Sequence, residues 1–133
     1  MRFLIIEDQQ DVRKLLQGFL KAWGNCDQAE DGIKGIAAIM KSMEEKQPYD
    51  VVFLDIMMPK MAGQDVLKKI RELEAAKKVF PPHTTKIIMT TALDDKENIM
   101  EAFREQADAY LVKPILRDKI LDAFHKAGVE LPT

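Results

Sequence analysis

The chain has 133 residues, of which 47% are hydrophobic and 32% charged, and its formal net charge is −2. This length and composition predict one soluble globular domain with enough apolar residues for a core. Runs of Lys or Arg are never longer than two residues. The chain therefore lacks the basic surface that neutralises phosphates, and direct nucleic-acid binding is not expected.

Cysteine content and hydropathy indicate the cellular compartment. Cys26 is the only cysteine, so an internal disulfide is impossible and a Cys/His zinc site is not expected. The apolar run at 3–6 is too short for a signal peptide, and no segment approaches membrane-spanning length. We therefore expect a cytoplasmic protein with no membrane association.

Short apolar runs predict the strands. Residues 2–6, 50–54, 86–89 and 109–112 are rich in branched and aromatic side chains, which is typical of strands buried on both faces of a parallel sheet. The polar stretch 25–30 is a poor strand by composition. It nevertheless lies between two helical segments, where the alternation requires a strand, and we expect it at the edge of the sheet.

Apolar residues spaced three and four apart predict five helices between and after the strands, around residues 12–23, 33–40, 66–73, 99–103 and 116–124. Gly24 follows the first helix, at the position of a C-terminal helix glycine. Residues 77–86, with the paired Pro81 and Pro82, are predicted to form a loop. Five strand–helix alternations indicate an α/β domain with right-handed crossovers.

Polar side chains lie where the predicted strands end. They are Glu7 and Asp8 after the first strand, Asp55 at the end of the third, Thr90 and Thr91 at the end of the fourth, and Lys113 after the fifth. Ligands of open parallel sheets bind beyond the carboxyl ends of the strands. We therefore expect these residues to share one edge of the sheet.

Each of these residues also has a structural interpretation. Asp8 could cap the helix that starts near Gln10, and Lys113 could be a solvated surface lysine. The two threonines could reflect β-propensity alone. Asp55 is harder to explain in this way, because it ends a buried strand and has no charge partner nearby in the sequence. The convergence of all these side chains on one edge favours a functional site.

The charges at this edge indicate what it binds. Three acids against Lys113 give a net charge of about −2 if all are ionised, which a divalent cation would neutralise. Oxygen ligands suit Mg²⁺, or Mn²⁺, better than zinc. Asp55 then has two possible roles, as a metal ligand only or as a metal ligand and a nucleophile.

The chain resembles the response-regulator receiver domains of two-component signalling from about residue 2 to residue 127. The resemblance rests on five motifs in order, Glu7-Asp8, Asp55 with Met58-Pro59 and Gly63, Thr91-Ala92, Tyr110, and Lys113-Pro114. It implies a doubly wound, flavodoxin-like sheet with strand order 2-1-3-4-5 and five helices. The whole chain, 1–133, would then be one domain with a tail at 128–133.

The resemblance implies a role for each matching residue. Asp55 would accept a phosphoryl group from a phosphohistidine on a sensor histidine kinase or a histidine phosphotransfer protein. Asp8, Asp55 and the backbone carbonyl of Met57 would bind Mg²⁺, and Glu7 would hold a metal-bound water. Lys113 would neutralise a phosphoryl oxygen. Such a domain is not an enzyme for other substrates, since it catalyses only its own phosphorylation and dephosphorylation.

Thr91 and Tyr110 resemble the switch pair of the family. The threonine hydroxyl would bind the phosphoryl group, the aromatic ring would turn inward, and the surface of the fourth helix, fifth strand and fifth helix would change for a downstream protein target. The resemblance also implies a cis peptide bond between Lys113 and Pro114.

Other functions remain as alternatives. A receiver-like interaction module that is never phosphorylated usually lacks one of the acids or the lysine. A phosphatase of the haloacid dehalogenase type places a second Asp two residues after the nucleophile, where this chain has Met57. A flavodoxin-type carrier needs a phosphate-binding loop after the first strand, which this sequence lacks. Met1 just before the first strand favours a natural start and a single-domain regulator.

Overall fold

The computed structural model describes residues 1–92, 96–104 and 106–132, without the side chains of Lys96, Asn98 and Phe103. Strands and helices alternate along the chain. The strands are β1 (Arg2–Ile6), β2 (Asn25–Ala29), β3 (Val51–Asp55), β4 (Lys86–Thr91) and β5 (Ala109–Val112). The helices are α1 (Gln10–Leu20), α2 (Gly32–Glu44), α3 (Gly63–Ala76), α4 (Lys96–Arg104) and α5 (Arg117–Ala127).

The five strands form one parallel sheet in the order β2-β1-β3-β4-β5, which confirms the predicted fold. Every residue of β3 is buried, whereas β2 is mostly exposed. This difference explains the composition of the two strands, because a central strand is covered by helices on both faces and an edge strand is not. The predicted edge strand at 25–30 is therefore confirmed.

Alternate residues of the strands build two cores, one on each face of the sheet. Phe3 and Phe53 pack with Phe124 of α5, and their ring centroids lie 6.0 and 5.8 Å from the Phe124 ring. On the opposite face, Leu4 and Leu54 pack in the core covered by α2, α3 and α4. The sheet is thus packed between two helical layers, which fix the position of its carboxyl edge.

Gly24 has a different role from the one its position predicts. Helix α1 ends at Leu20 with Lys21 as its C-cap, and a Cβ built on Gly24 would lie 2.0 Å from the carbonyl oxygen of Met1. Gly24 is thus needed for a close approach of two backbone segments, and not as a left-handed helix cap. The left-handed cap glycine of this fold is Gly128, which follows α5 with φ of 75°.

The remaining connections agree with the sequence. Helix α3 ends at Ala76 and β4 begins at Lys86, so the predicted loop is present, and its Pro81–Pro82 peptide bond is cis. Among the described residues, no helix combines the length and apolar character needed to cross a membrane.

Candidate functional site

Strand β1 delivers two acids to the carboxyl edge of the sheet. Glu7 follows the last residue of β1, is 1% exposed, and donates its backbone N–H to the Ala29 carbonyl at 3.1 Å. Asp8 comes next and is more exposed than Glu7. The N-cap of α1 is Gln9, and no side chain caps that helix. Asp8 is therefore not the cap that its position allowed.

Strand β3 ends with Asp55, which is only 4% exposed. The chain returns past this residue at Gly63, the first residue of α3. A Cβ on Gly63 would lie 2.2 Å from the carbonyl oxygen of Asp55, and the Gly63 N–H donates to the Ile56 carbonyl at 2.8 Å. Only glycine fits this approach, so Gly63 helps fix the backbone that carries Asp55.

The three acids form one cluster with Lys113. Carboxylate oxygens of Glu7, Asp8 and Asp55 lie within 4.8 Å of one another. The Lys113 Nζ lies 3.1 Å from Glu7 Oε1 and 3.7 Å from Asp55 Oδ1. The Lys113–Pro114 peptide bond is cis, as expected. Within the part of the chain that the structure describes, three carboxyl groups thus lie together with one ammonium group, which is the charge imbalance that the sequence predicts.

Burial makes this excess of negative charge unfavourable in free energy. Burial, together with the neighbouring carboxyl groups of Asp8 and Asp55, raises the pKa of Glu7 to about 7, although the hydrogen bond from the Gln9 backbone N–H opposes this shift. Burial also raises the pKa of Asp55, although the Glu7 carboxyl group and the Lys113 ammonium group oppose this shift. The metal-free cluster therefore favours partial protonation, and an additional positive charge would stabilise its ionised form.

A divalent cation fits this arrangement. Lys113 is within ion-pair distance of the buried Glu7 Oε1 but does not meet hydrogen-bond geometry, and this oxygen has no hydrogen-bond donor among the described residues. A buried carboxylate oxygen without a donor is expensive unless a cation binds nearby. Carboxylates are hard oxygen ligands, so the cluster could hold Mg²⁺ or Mn²⁺ and is poorly suited to a zinc ion.

The other predicted site residues lie around this cluster. Asp55 is paired with the buried Thr90 in the register of β3 and β4, and its Oδ1 accepts the Met57 N–H at 3.3 Å. The next residue, Thr91, is 1% exposed, and its hydroxyl donates to the Ala92 carbonyl at 3.3 Å. Tyr110 lies on β5 and is 41% exposed, so part of its surface is accessible to solvent.

Comparison with known proteins identifies the family. Residues 3–125 match the sequence model of the response regulator receiver domain. The chain belongs to this family. It is 35% identical over 114 residues to the transcriptional regulatory protein ResD of Bacillus subtilis (strain 168), a match that covers 85% of the chain and 42% of ResD. The chain spans less than half the length of the curated relatives it matches.

Solved receiver structures share the fold. A response regulator receiver domain protein from Clostridium thermocellum is 28% identical with a TM-score of 0.76, covering 95% of this chain and 92% of that one. The receiver domain of Saccharomyces cerevisiae Ssk1, crystallised with the histidine phosphotransfer protein Ypd1, has a TM-score of 0.77 at 20% identity, covering 96% and 89%. The second likeness concerns the fold alone. Receiver domains are generally non-enzymatic signalling domains.

Two basic residues near the site were not predicted. Arg13 of α1 donates to the backbone carbonyls of Glu7 and Asp8, and Lys119 of α5 donates to those of Val112 and Pro114 at 3.3 Å. Each follows its strand by a turn or two of helix, where a long basic side chain can reach back to the loop. That spacing is a sequence signal, but it is not specific, because most helices carry basic residues at such positions.

Proposed function

We propose that Asp55 is the phosphoacceptor of this receiver domain. A carboxylate oxygen of Asp55 attacks the phosphorus of a phosphohistidine, the P–N bond breaks, and the imidazole nitrogen keeps the electron pair and takes up a proton. The product is an acyl phosphate. The observation that carries this proposal is a buried carboxylate at the end of a central strand with the Lys113 ammonium group 3.7 Å away.

The surrounding residues have supporting roles in this proposal. Asp8, Asp55 and the Met57 carbonyl would hold Mg²⁺, or Mn²⁺, with Glu7 acting through a bound water. When bound, the ion neutralises charge that develops on the transferred phosphoryl group. Lys113 would pair with a phosphoryl oxygen, because its Nζ already faces the Asp55 carboxylate. Catalysis would consist of positioning and charge neutralisation, so the domain would act only on its own phosphorylation.

Thr91 and Tyr110 would couple phosphorylation to output. Thr91 ends the strand beside Asp55, while Tyr110 is exposed on β5, next to α4 and α5 in the chain. Movement of the Thr91 hydroxyl towards a phosphoryl oxygen and inward rotation of Tyr110 would change the α4-β5-α5 surface. Switches of this kind bias an element with two stable arrangements through a local change of charge.

The proposed partners are proteins of a two-component pathway in the cytoplasm. The phosphoryl donor would be a sensor histidine kinase or a histidine phosphotransfer protein. A downstream protein would bind the altered α4-β5-α5 surface. The chain's net charge of −2 supports protein partners over direct binding to nucleic acid.

Incubation with acetyl phosphate and Mg²⁺, followed by intact mass measurement, tests the proposal. We expect one added phosphoryl group, its absence in Asp55→Asn, and its retention in the control Asp65→Asn, which changes an exposed acid in the first turn of α3. The added group should also be absent in EDTA. An unmodified wild-type mass, or the same added mass in Asp55→Asn, would instead favour a receiver-like interaction module that is not phosphorylated.

A further inference from the structure

Arg13 connects helix α1 to the turn that carries two of the acids. Its Nη1 donates to the Glu7 carbonyl at 2.8 Å and to the Asp8 carbonyl at 3.1 Å. Its Nε donates to Gln28 Oε1 on β2 at 3.3 Å. These acceptors are uncharged, and the side chain is half-buried. Arg13 therefore binds two consecutive peptide groups and does not form an ordinary surface ion pair through these bonds.

Two consecutive carbonyls held by one nitrogen fix the orientation of the peptide planes in the β1–α1 turn. The direction in which the Glu7 and Asp8 side chains leave the backbone follows from those planes. A second contact supports Glu7, because the Gln9 N–H donates to Glu7 Oε2 at 3.1 Å. Asp8 is the more exposed acid, so the geometry of its backbone determines where its carboxylate lies.

The charge of Arg13 also matters for this turn. The acid cluster has Lys113 on one side, and the guanidinium group adds a cation on the backbone side of Glu7 and Asp8. Its planar fork lets Nη1 donate to the two carbonyls while Nε donates to Gln28 Oε1, and a lysine with a single nitrogen reproduces this arrangement poorly. Residues that orient metal ligands in this way commonly change metal affinity by tenfold or more when they are replaced.

We propose that Arg13 is a positioning residue for the acid cluster. It holds the Glu7-Asp8 turn in the geometry that binds a divalent cation, and it touches neither the cation nor the phosphoryl group. Through Gln28 it also joins this turn to the edge strand β2. The proposal rests on the proposed function, because it assumes that the cluster binds Mg²⁺.

The test compares Mg²⁺ affinity among variants of the full chain by isothermal titration calorimetry. We expect Arg13→Met to weaken Mg²⁺ binding about tenfold. Arg13→Lys, which keeps the charge but loses the fork, should weaken it by a smaller but measurable factor. Lys14→Met removes the same charge from the neighbouring exposed position and should leave the affinity unchanged. Equal affinity in wild type and Arg13→Met would overturn the proposal.

A second measurement needs no metal. Amide hydrogen exchange of Asp8 and Gln9 in EDTA should be faster in Arg13→Met and Arg13→Lys than in wild type and Lys14→Met, because the turn loses its anchor. Unchanged exchange in both Arg13 variants would overturn the positioning role. Arg13→Lys provides this readout even if Arg13→Met fails to fold.

The outcomes separate this proposal from the proposed function. If wild type binds Mg²⁺ and is phosphorylated on Asp55 while Arg13→Met binds Mg²⁺ equally well, only the role of Arg13 is wrong. If wild type binds no Mg²⁺, the metal site and the role of Arg13 are both wrong. If Arg13→Lys keeps full affinity with a mobile turn, the charge of Arg13 acts without positioning, and the proposal is again overturned.

Discussion

At the amino end of the sheet, Arg71 of α3 pairs with Glu74 at 2.7 Å and with Asp108 at 2.8 Å. At the carboxyl end, the Lys113 ammonium group lies within ion-pair distance of Glu7 and Asp55, and Asp8 belongs to the same cluster of carboxylates. Both ends bury carboxylates next to the same rigid strands. They differ in how completely those carboxylates are paired and hydrogen-bonded.

The amino end is satisfied by the protein itself. Glu74 Oε2 accepts the Thr85 N–H at 2.7 Å, Asp108 Oδ2 accepts the Ile87 N–H at 2.8 Å, and Arg71 also donates to the Thr85 carbonyl at 2.8 Å. Every group in this network therefore has a protein partner. A cavity of about 630 Å³ lies at this same end and is lined in part by Arg71, Glu74 and Asp108.

Complete or incomplete hydrogen bonding distinguishes structural from functional buried charges in this molecule. A buried ion network with complete hydrogen bonding stabilises one conformation of the chain. A buried carboxylate oxygen that lacks a hydrogen-bond donor, as Glu7 Oε1 does among the described residues, is compensated only in part by the Lys113 ammonium group 3.1 Å away, and a bound cation would stabilise it further. The following predictions test whether the two ends differ in this way.

The largest effect is expected from Arg71→Met at the amino end. This change leaves Glu74, whose side chain is 3% exposed, without its cation. Removing one partner of a buried ion pair costs about 3–5 kcal/mol of the free energy of unfolding. Urea denaturation measures this loss. The variant should still be phosphorylated on Asp55 while it is folded, because the network is remote from the cluster.

Lys69→Met is the matched control, since Lys69 lies on the same helix and is exposed. It should change the free energy of unfolding by less than about 0.5 kcal/mol. A loss below about 1 kcal/mol in Arg71→Met would show that the amino-end network does not have the structural role assigned to it.

The second prediction concerns Mg²⁺ and the carboxyl end. A ligand that binds only the folded state at ten times its dissociation constant stabilises that state by about 1.4 kcal/mol. We expect a gain of this size in wild type, measured by urea denaturation with and without Mg²⁺, and complete reversal by EDTA. Asp8→Asn should remove the gain.

Arg71→Met should keep the Mg²⁺ gain, although its baseline stability is lower, because it alters only the amino end. If Mg²⁺ stabilised wild type and Asp8→Asn equally, the ion would be binding somewhere other than the acid cluster.

The sequence predicts the fold and the carboxyl-end cluster because both depend on strong local signals. Buried strands are recognisable from runs such as 50–54, and the positions of Glu7, Asp55 and Lys113 follow from where parallel strands end. Even the polar edge strand β2 could be placed, because the alternation of elements requires it. The order of the strands came from the resemblance, and not from the apolar pattern.

The amino-end network could not be predicted, because its partners are distant in sequence. Arg71, Thr85 and Asp108 lie on three different segments, and each is an ordinary polar residue by itself. The role of Gly24 was predicted wrongly for a similar reason, since its constraint is the Met1 carbonyl. Periodicity reports which residues face a core, but it does not report which backbone segments meet.

The smallest predicted change in the free energy of unfolding has opposite signs at the two ends of the sheet. In the metal-free protein, Asp55→Asn removes a buried charge that is destabilised by desolvation and by repulsion from Asp8, although the Glu7 carboxyl group and the Lys113 ammonium group partly offset this cost. The Asn side-chain oxygen can still accept the Met57 N–H that Asp55 Oδ1 accepts at 3.3 Å. Since burial raises the pKa of Asp55 and so destabilises its ionised form in the folded state, we expect a gain in the free energy of unfolding of about 1 kcal/mol.

Asp108→Asn makes the same chemical change at the amino end and is the direct control. It removes a charge that pairs with Arg71 at 2.8 Å, so it should lower the free energy of unfolding by about 1 kcal/mol. Urea denaturation in EDTA compares the two variants under one condition. Opposite signs would mean that the cluster gives up stability to keep Asp55 ionisable, as a phosphoacceptor requires. Equal losses would mean that Lys113 already satisfies Asp55, and the contrast between the two ends would be wrong.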